Sequence, residues 1–486
     1  MKWALYNLLF AAVYPFLLPG FLVRMLRRGG YAARMGDRFA LYPEGLFGKD
    51  GPLFDSHKAL IANSQQLTAG FVWIHAVSVG EVQVAGQLMR EWRKVEPDVR
   101  FCFSTTSSTG WKIAEKELKD LGIQCSTSNL QPSTSDVLIY NPLDVPNFVK
   151  SALKTVRPRA IVLTESEIWP NFIRTAKKMG IPLFLINARV SDRSAPRYKA
   201  AKWFFGEALS CFTKIFAQSD LDKVRLVAAG APEDKVEVTG SFKFDVAHRN
   251  EAKERELREW ILESDRVGAG SDSGGAAAKD SNPTLNIPKI LLGGSIWPGE
   301  DEVLLKIYRG LLETASGQQQ GGKPVLVIAP RHFEKADAIE ANIRKFGFEC
   351  IRRSKGSSLV PRPSSLVPVY LADTTGELMG LYGIADVVFV GKSLCAHGSQ
   401  NMIEPCLCGK PTLVGPYTEN FRPVMSDLLA SDAIIQVKDA KELEEKVREC
   451  LGGSGSLEGL GARAKAAVEK RLGVVAKCVS EIRGAL

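Results

Sequence analysis

The stretch Val72–Gly86, VWIHAVSVGEVQVAG, decides the fold. Its apolar start, Phe71 to Ile74, suits a buried strand. After Glu81 the spacing of Val82, Val84, Ala85, Leu88 and Met89 predicts a helix. A carboxylate therefore sits where a strand turns into a helix. Open α/β sheets bind ligands at the carboxyl ends of their strands, and a Glu there can accept a proton when its geometry allows. The position equally suits a first-turn Glu that only complements the helix dipole.

The pattern repeats outward from this stretch. Strands are expected at Val72–His75, Val99–Ser104, Val137–Tyr140, Ala160–Thr164, Leu183–Asn187, Lys214–Ala217 and Val236–Thr239. Helical segments separate them, among them Val84–Lys94, Trp111–Leu121, Val145–Val156 and Asn171–Met179. Such βα repetition predicts a parallel, doubly wound sheet. A second series follows at Lys289–Leu292, Val325–Ala329, Cys350–Arg352, Val369–Ala372, Val387–Val390, Thr412–Val414 and Ile434–Gln436. Between the series, Val267 to Pro283 is mostly Gly, Ser, Ala and Asp, so 266–285 reads as a flexible surface insertion. The two α/β halves join near Thr239–Asp245, and the cleft between such halves is the default ligand site. Glu458 to Leu486 reads as helical and able to pack across both halves. The expected divisions are 1–24, 25–240, 241–457 and 458–486.

The chain has 486 residues, which implies two or three domains, and a hydrophobic share of 45%, that of an ordinary globular protein. A net charge of +9 favours an acidic partner: a phosphorylated substrate, an anionic membrane or nucleic acid. Nucleic acid is set aside, because no zinc-finger spacing, RRM signature or basic stripe with interleaved aromatics is present. The nine Cys form no CxxC pair and there is no HExxH, so no metal site is expected. Trp3 to Val23 carries no charged side chain and is followed by Arg24, Arg27, Arg28 and Arg34. About twenty such residues can span a bilayer, and the arginines place the rest of the chain in the cytoplasm. Pro15 and Pro19 interrupt the helix, so a tilted or partly inserted anchor fits as well.

Four groups of residues could carry chemistry. Thr164–Asn171, TESEIWPN, ends a strand with two carboxylates, Glu165 and Glu167; the same residues suit a helix start, with Ser166 or Glu167 near the cap and Pro170 in the first turn. Asn187–Arg197 brings three arginines, including Arg189 and Arg193, that could grip phosphate or simply be solvated. Gly240–Asp245, GSFKFD, offers Lys243 to stabilise developing negative charge, or as half of a surface ion pair with Asp245. The densest group lies in the second series: Pro330-Arg331-His332, Asp373–Leu378, Gly391-Lys392-Ser393 and Gly398–Pro405, each after a strand. Small residues there let backbone N–H groups approach an anion, and Glu404 could accept hydrogen bonds from ribose hydroxyls. Four such loops at one sheet end point to a nucleotide site.

Taken together, SVGE at Ser78–Glu81, TESEIWPN, NARVSDRS at Asn187–Ser194, GSFKFD, PRH, DTTGEL, ADVVFVGKSL at Ala385–Leu394 and NMIEP at Asn401–Pro405 resemble the 3-deoxy-D-manno-octulosonate (Kdo) transferase family of lipid A biosynthesis. The resemblance runs from the N-terminal anchor to about Val437. It implies a GT-B fold of two Rossmann-like domains facing across a cleft, with an N-terminal acceptor domain and a C-terminal CMP-Kdo domain. It implies transfer of Kdo from CMP-Kdo to a lipid A precursor on the cytoplasmic face of the bacterial inner membrane, inverting, without metal or other cofactor. By the same resemblance Glu81 is the general base, and Glu165 and Lys243 stabilise the transition state. Pro330, Arg331, Thr375, Gly376, Glu377, Asn401, Met402, Ile403 and Glu404 form the nucleotide site. Arg189 and Arg193 would meet acceptor phosphate, and the anchor and basic loops would meet anionic lipid. The chain departs from the family pattern in having Ile296-Trp297-Pro298 after Ser295, and Gly398-Ser399-Gln400 before Asn401. Two alternatives use the same residues: a GT-B transferase taking a UDP-sugar to another lipid-linked acceptor, and a non-catalytic membrane-tethered binding protein.

Overall fold

The computed structural model describes residues 32–43, 46–47, 70–120, 136–246, 250–268, 288–315, 323–355, 366–452, 457 and 459–486, with positions 3, 6–8, 12, 16 and 20 near the start. They fall into two compact units: Met1–Val246 with Gly473–Leu486, and Ala247–Leu472.

The first unit is built on strands β1 (Phe71–His75), β2 (Phe101–Thr105), β3 (Val137–Tyr140), β4 (Pro158–Thr164), β5 (Leu183–Ala188), β6 (Lys214–Ala217) and β7 (Val236–Val238). All pair in parallel, in the order β3-β2-β1-β4-β5-β6-β7. Helices cover both faces, so the central strands read as largely apolar runs, and all five residues of β1 are buried. One face packs against the helix Val79–Val95 through Val82, Ala85, Leu88, Met89 and Trp92. The same cluster takes in Val474, Val475, Cys478, Val479 and Ile482 of the last helix, Val474–Gly484. Asp245 fixes the start of that helix, accepting from the N–H of Gly473 at 2.8 Å and of Val475 at 2.7 Å. The strand order reverses between β1 and β4, so the loops after these two strands diverge and leave a crevice at their carboxyl ends.

The second unit has β8 (Ile290–Ile296), β9 (Val325–Pro330), β10 (Glu349–Arg352), β11 (Pro368–Leu371), β12 (Val387–Val390), β13 (Thr412–Val414) and β14 (Ile435–Gln436). Its order is β10-β11-β9-β8-β12-β13-β14, again all parallel. Here the reversal lies between β8 and β12. Gly391, just after β12, passes the end of β8 so closely that a Cβ would sit 2.4 Å from the Cα of Ile296. Only glycine permits that approach.

All fourteen expected strands are present within a few residues. The divisions differ. The units change over at Val246/Ala247 and again at Leu472/Gly473. The final stretch is not one helix across both units: Leu460–Glu469 belongs to the second and Val474–Gly484 to the first, with the left-handed Gly473 between them. Most of the expected anchor at 1–24, and residues 269–285 of the expected insertion, lie outside the described residues. Among the described residues no helix is long and apolar enough to cross a membrane. At the start of the chain, the Trp3 indole donates to Glu207, the Tyr6 hydroxyl to Asp144 at 2.9 Å, and Asn171 to Asn7 at 2.7 Å.

Candidate functional site

The reversal point of the first sheet gathers most of the residues singled out in that unit. Ser78 caps the helix Val79–Val95 by accepting from the N–H of Glu81 at 3.3 Å, and Glu81 reaches back, as in a capping box. Its carboxylate accepts from Val77 N–H at 3.1 Å, the Ser78 hydroxyl at 2.8 Å and the Thr164 hydroxyl at 2.9 Å. A carboxylate offers about four lone-pair sites, so one stays open to an incoming donor. Glu81 is thus both a helix cap and a held, oriented carboxylate.

The loop after β4 does not cap the next helix. The first N–H groups of Pro170–Lys178 are taken by Asp144, which accepts from Asn171 at 3.0 Å and Phe172 at 2.8 Å. Glu165 and Glu167 are thereby released from the helix-start role the sequence also allowed. Glu165 has a left-handed backbone, φ 49°, and so has Asn187, φ 52°, at the end of β5. Non-glycine residues adopt that region at a cost of roughly 1–2 kcal/mol, and five of the eight such residues among those described lie at strand ends near the two reversals: Glu165, Asn187, Ser295, Lys392 and Ser399. Asn187 joins two of the loops, donating to Glu165 at 3.4 Å and accepting from Phe242 N–H at 3.1 Å.

Charge in this site is compensated unevenly. Burial pushes the Glu165 carboxyl up, Arg189 and Lys243 oppose it, and Glu81 adds to it. The Arg189 Nε lies 3.3 Å from Glu165. Lys243 is lowered by its own burial, against the pull of Glu165 and with the push of Arg189. Glu167 is pushed up to about 7 by burial and by Glu81, with the Trp169 indole at 2.8 Å opposing and Glu165 reinforcing. His75, fully buried at the end of β1, is pulled down to about 4 by desolvation.

At the second sheet the loops are held by carboxylates instead. Glu300, fully buried, accepts from the N–H groups of Trp297, Lys392, Ser393, Leu394 and Cys395, at 2.7 to 3.4 Å. Asp373 accepts from Arg352 at 2.7 Å and from Ser354 N–H at 2.8 Å; burial works against its ionisation, but these partners outweigh burial and hold its carboxyl below the usual range. Glu377 behaves likewise, opposed by burial and held down by Arg353, Lys253 at 2.7 Å and Thr374. The Glu377 side chain is thus spent on the loop, while Thr375 and Gly376 are exposed. Pro330 ends β9 and Arg331 stands exposed beyond it. Asn401 donates to Glu404 at 3.0 Å and accepts from Ile403 N–H at 3.0 Å, at the start of the short helix Ile403–Leu407, with Met402 and Ile403 buried behind. Burial raises the Glu404 carboxyl, against Asn401 and Arg331.

One expected residue is not drawn into the site, and the alternative partner offered for Lys243 lies elsewhere. Arg193 stands exposed, and Asp245 turns to the last helix. Sequence reasoning missed His75 as a site residue and gave Thr164 and Asn187 no role of their own, although each is a polar residue at or near the end of an otherwise apolar strand, which was the available signal. Glu300 was missed because its N–H donors come from a loop some ninety residues later in the chain.

Two Rossmann-like parallel-sheet units, each with its polar loops at the reversal of strand order, define a glycosyltransferase-like protein of the GT-B type. Anabaena Alr3699/HepE, solved in complex with UDP, shares the fold with a TM-score of 0.50 and 11% identity, over 86% of this chain and 100% of that one. A model of the family described as 3-Deoxy-D-manno-octulosonic-acid transferase (kdotransferase) matches residues 33–246. The 3-deoxy-D-manno-octulosonic acid transferase of Haemophilus influenzae is 31% identical over 80% of this chain and 81% of its own. That of Bordetella pertussis is 31% identical over 84% of each. The chain belongs to the 3-deoxy-D-manno-octulosonic acid (Kdo) transferase family.

Proposed function

We propose that the protein transfers Kdo from CMP-Kdo to a lipid A precursor of the lipid IV-A type, in lipopolysaccharide core biosynthesis. The observation that carries this reading is Glu81, oriented by three hydrogen bonds at the strand reversal of a Kdo transferase family member. In this reading the acceptor hydroxyl gives its proton to Glu81 as its oxygen bonds to the anomeric carbon. The bond from that carbon to the CMP phosphate breaks, with inversion and without a metal. Lys243, half-buried and within the electrostatic reach of Glu165, offsets charge that builds up during transfer. Arg331, the Thr375-Gly376 backbone and Asn401–Glu404 hold CMP, with Glu404 on the ribose. Arg189 and Arg193 meet acceptor phosphate. The segment 1–24 anchors the chain at the bacterial inner membrane with both units on the cytoplasmic side, where basic residues meet anionic lipid.

The test is transfer from CMP-Kdo, generated in situ, to a tetra-acylated lipid A precursor, with products resolved by mass and a UDP-sugar as the competing donor. One or two added Kdo units are expected. Product only with the UDP-sugar, or none while CMP binds, would overturn the reading.

A further inference from the structure

Three carboxylates converge on the end of the first sheet: Glu81 from the helix Val79–Val95, and Glu165 and Glu167 from the loop after β4. Two cations, Arg189 and Lys243, act on Glu165. None acts on Glu167, whose surroundings are Glu81, Glu165, the Trp169 indole, Tyr198 of the helix Ala195–Ala200, and His75. The Nε2 of His75 is buried and has no hydrogen-bond partner among the described residues, and the Glu167 carboxyl oxygen lies 3.8 Å from it. On its other side the ring meets the Ser104 carbonyl at 3.1 Å and the Ser104 hydroxyl at 2.8 Å. That hydroxyl also takes the Trp73 indole N–H at 2.8 Å. A carbonyl can only accept, so a proton on Nδ1 satisfies that contact and leaves Nε2 as a bare acceptor that needs a donor.

Resting on the transfer reading above, we propose that Glu167 is a positioning residue that holds a proton on the acid side of neutrality and directs it to the buried Nε2 of His75, so that it adds no negative charge of its own at this sheet end. The closure needed is about 1 Å, from the observed separation to ordinary hydrogen-bond length. Burial and the neighbouring Glu81 both favour the protonated carboxyl, and desolvation favours the neutral imidazole. The arrangement has a chemical purpose. Two carboxylates balance Arg189 and Lys243, whereas a third negative charge would repel an anionic substrate and raise the proton affinity of its neighbours. It also fixes the loop that carries Glu165.

Two measurements on the full-length protein test this. The first needs no substrate: ¹⁵N NMR of histidine-labelled protein at pH 6 should show His75 neutral, with Nδ1 protonated and Nε2 bare. A protonated Nε2 would overturn the proposal whether or not the enzyme transfers Kdo. The second is the pH profile of kcat/KM. Wild type should lose rate as pH rises through about 7. Glu167→Gln, neutral and still a donor, should keep the acid-side rate within about threefold and lose the alkaline fall, while Glu167→Ala should lose roughly thirtyfold at pH 6 through kcat. A Glu167→Gln enzyme that melts like wild type but is inactive at every pH would show that the anion is needed. An alkaline fall that persists in Glu167→Gln would assign it to another group. Either result ends the proposal, and absence of transfer by wild type would count against the function alone, leaving the NMR result to decide the proton.

Discussion

At the end of the first sheet, burial leaves Glu165 and Glu167 reluctant to ionise; at the end of the second, Asp373 and Glu377 are held ionised by arginine, lysine and hydroxyl partners, and Glu300 is tied to five backbone N–H groups. Both ends are built from βα units around a reversal of strand order, after three strands in the first sheet and four in the second, and they differ as much in side chains. The first end keeps carboxyls in surroundings that favour their protonated form, as the proposed proton transfer requires. The second is arranged to keep loops still, so that exposed backbone and a few polar tips can meet a ligand. Glu404 is the exception in the second unit, buried and raised like the carboxylates of the first. It is also the second-unit carboxylate whose side chain is proposed to meet the ribose, whereas that of Glu377 is engaged by its own loop.

The contrast can be broken most sharply at Glu81. Glu81→Gln keeps the shape of the cap and removes the base, so transfer should fall by about 10²–10⁴-fold while calorimetric CMP affinity stays put. A variant that keeps more than a tenth of the rate would remove Glu81 from that role. Next is Glu300→Ala, which strands five N–H groups and should cost about 3 kcal/mol of stability in a denaturant melt. A loss below about 1 kcal/mol would mean that solvent or other groups hold the 392–395 loop. The third test uses sign. The folded-state carboxyl of Glu167 is raised, so its contribution is complete at low pH and is lost as pH rises through about 7. Glu167→Gln should therefore gain about 1–3 kcal/mol over wild type between pH 5 and 8. Glu377 is lowered, so its contribution is present above the ordinary carboxylate range and is lost as pH falls through its folded value; Glu377→Gln should lose its handicap in acid. Melting curves sloping the same way for both variants would erase the contrast. Smallest is Glu404→Ala, expected to weaken CMP by about tenfold, or 1.4 kcal/mol, with the melt unchanged; unaltered affinity would cancel the ribose contact.

Much of this was legible in the chain. The strands announced themselves because a sheet covered on both faces needs unbroken apolar runs, and FVWIH or VLVIAP can hardly be anything else. Ser78 and Glu81 carried the spacing of a capping box. What the chain did not show depends on partners distant in sequence. Asp144, not Glu167, caps the helix at Pro170, and that frees Glu167 for His75. The charged ends of β10, Glu349 and Arg352, mark it as an edge strand, but nothing local says that β11 inserts between it and β9. The hold of Glu300 on the loop after β12 likewise joins residues that no periodicity connects.

The last helix has a consequence for how the molecule is made. Val474, Val475, Cys478, Val479 and Ile482 belong to the core that covers β1, yet the ribosome delivers them only after the whole of Ala247–Leu472. The first unit to emerge is thus the last to be completed, while the second is continuous and can close on itself during synthesis. Until Gly473–Leu486 arrive, the helix Val79–Val95 lacks its neighbour on that face of the sheet, so the end that carries Glu81 is finished only once the second unit already exists.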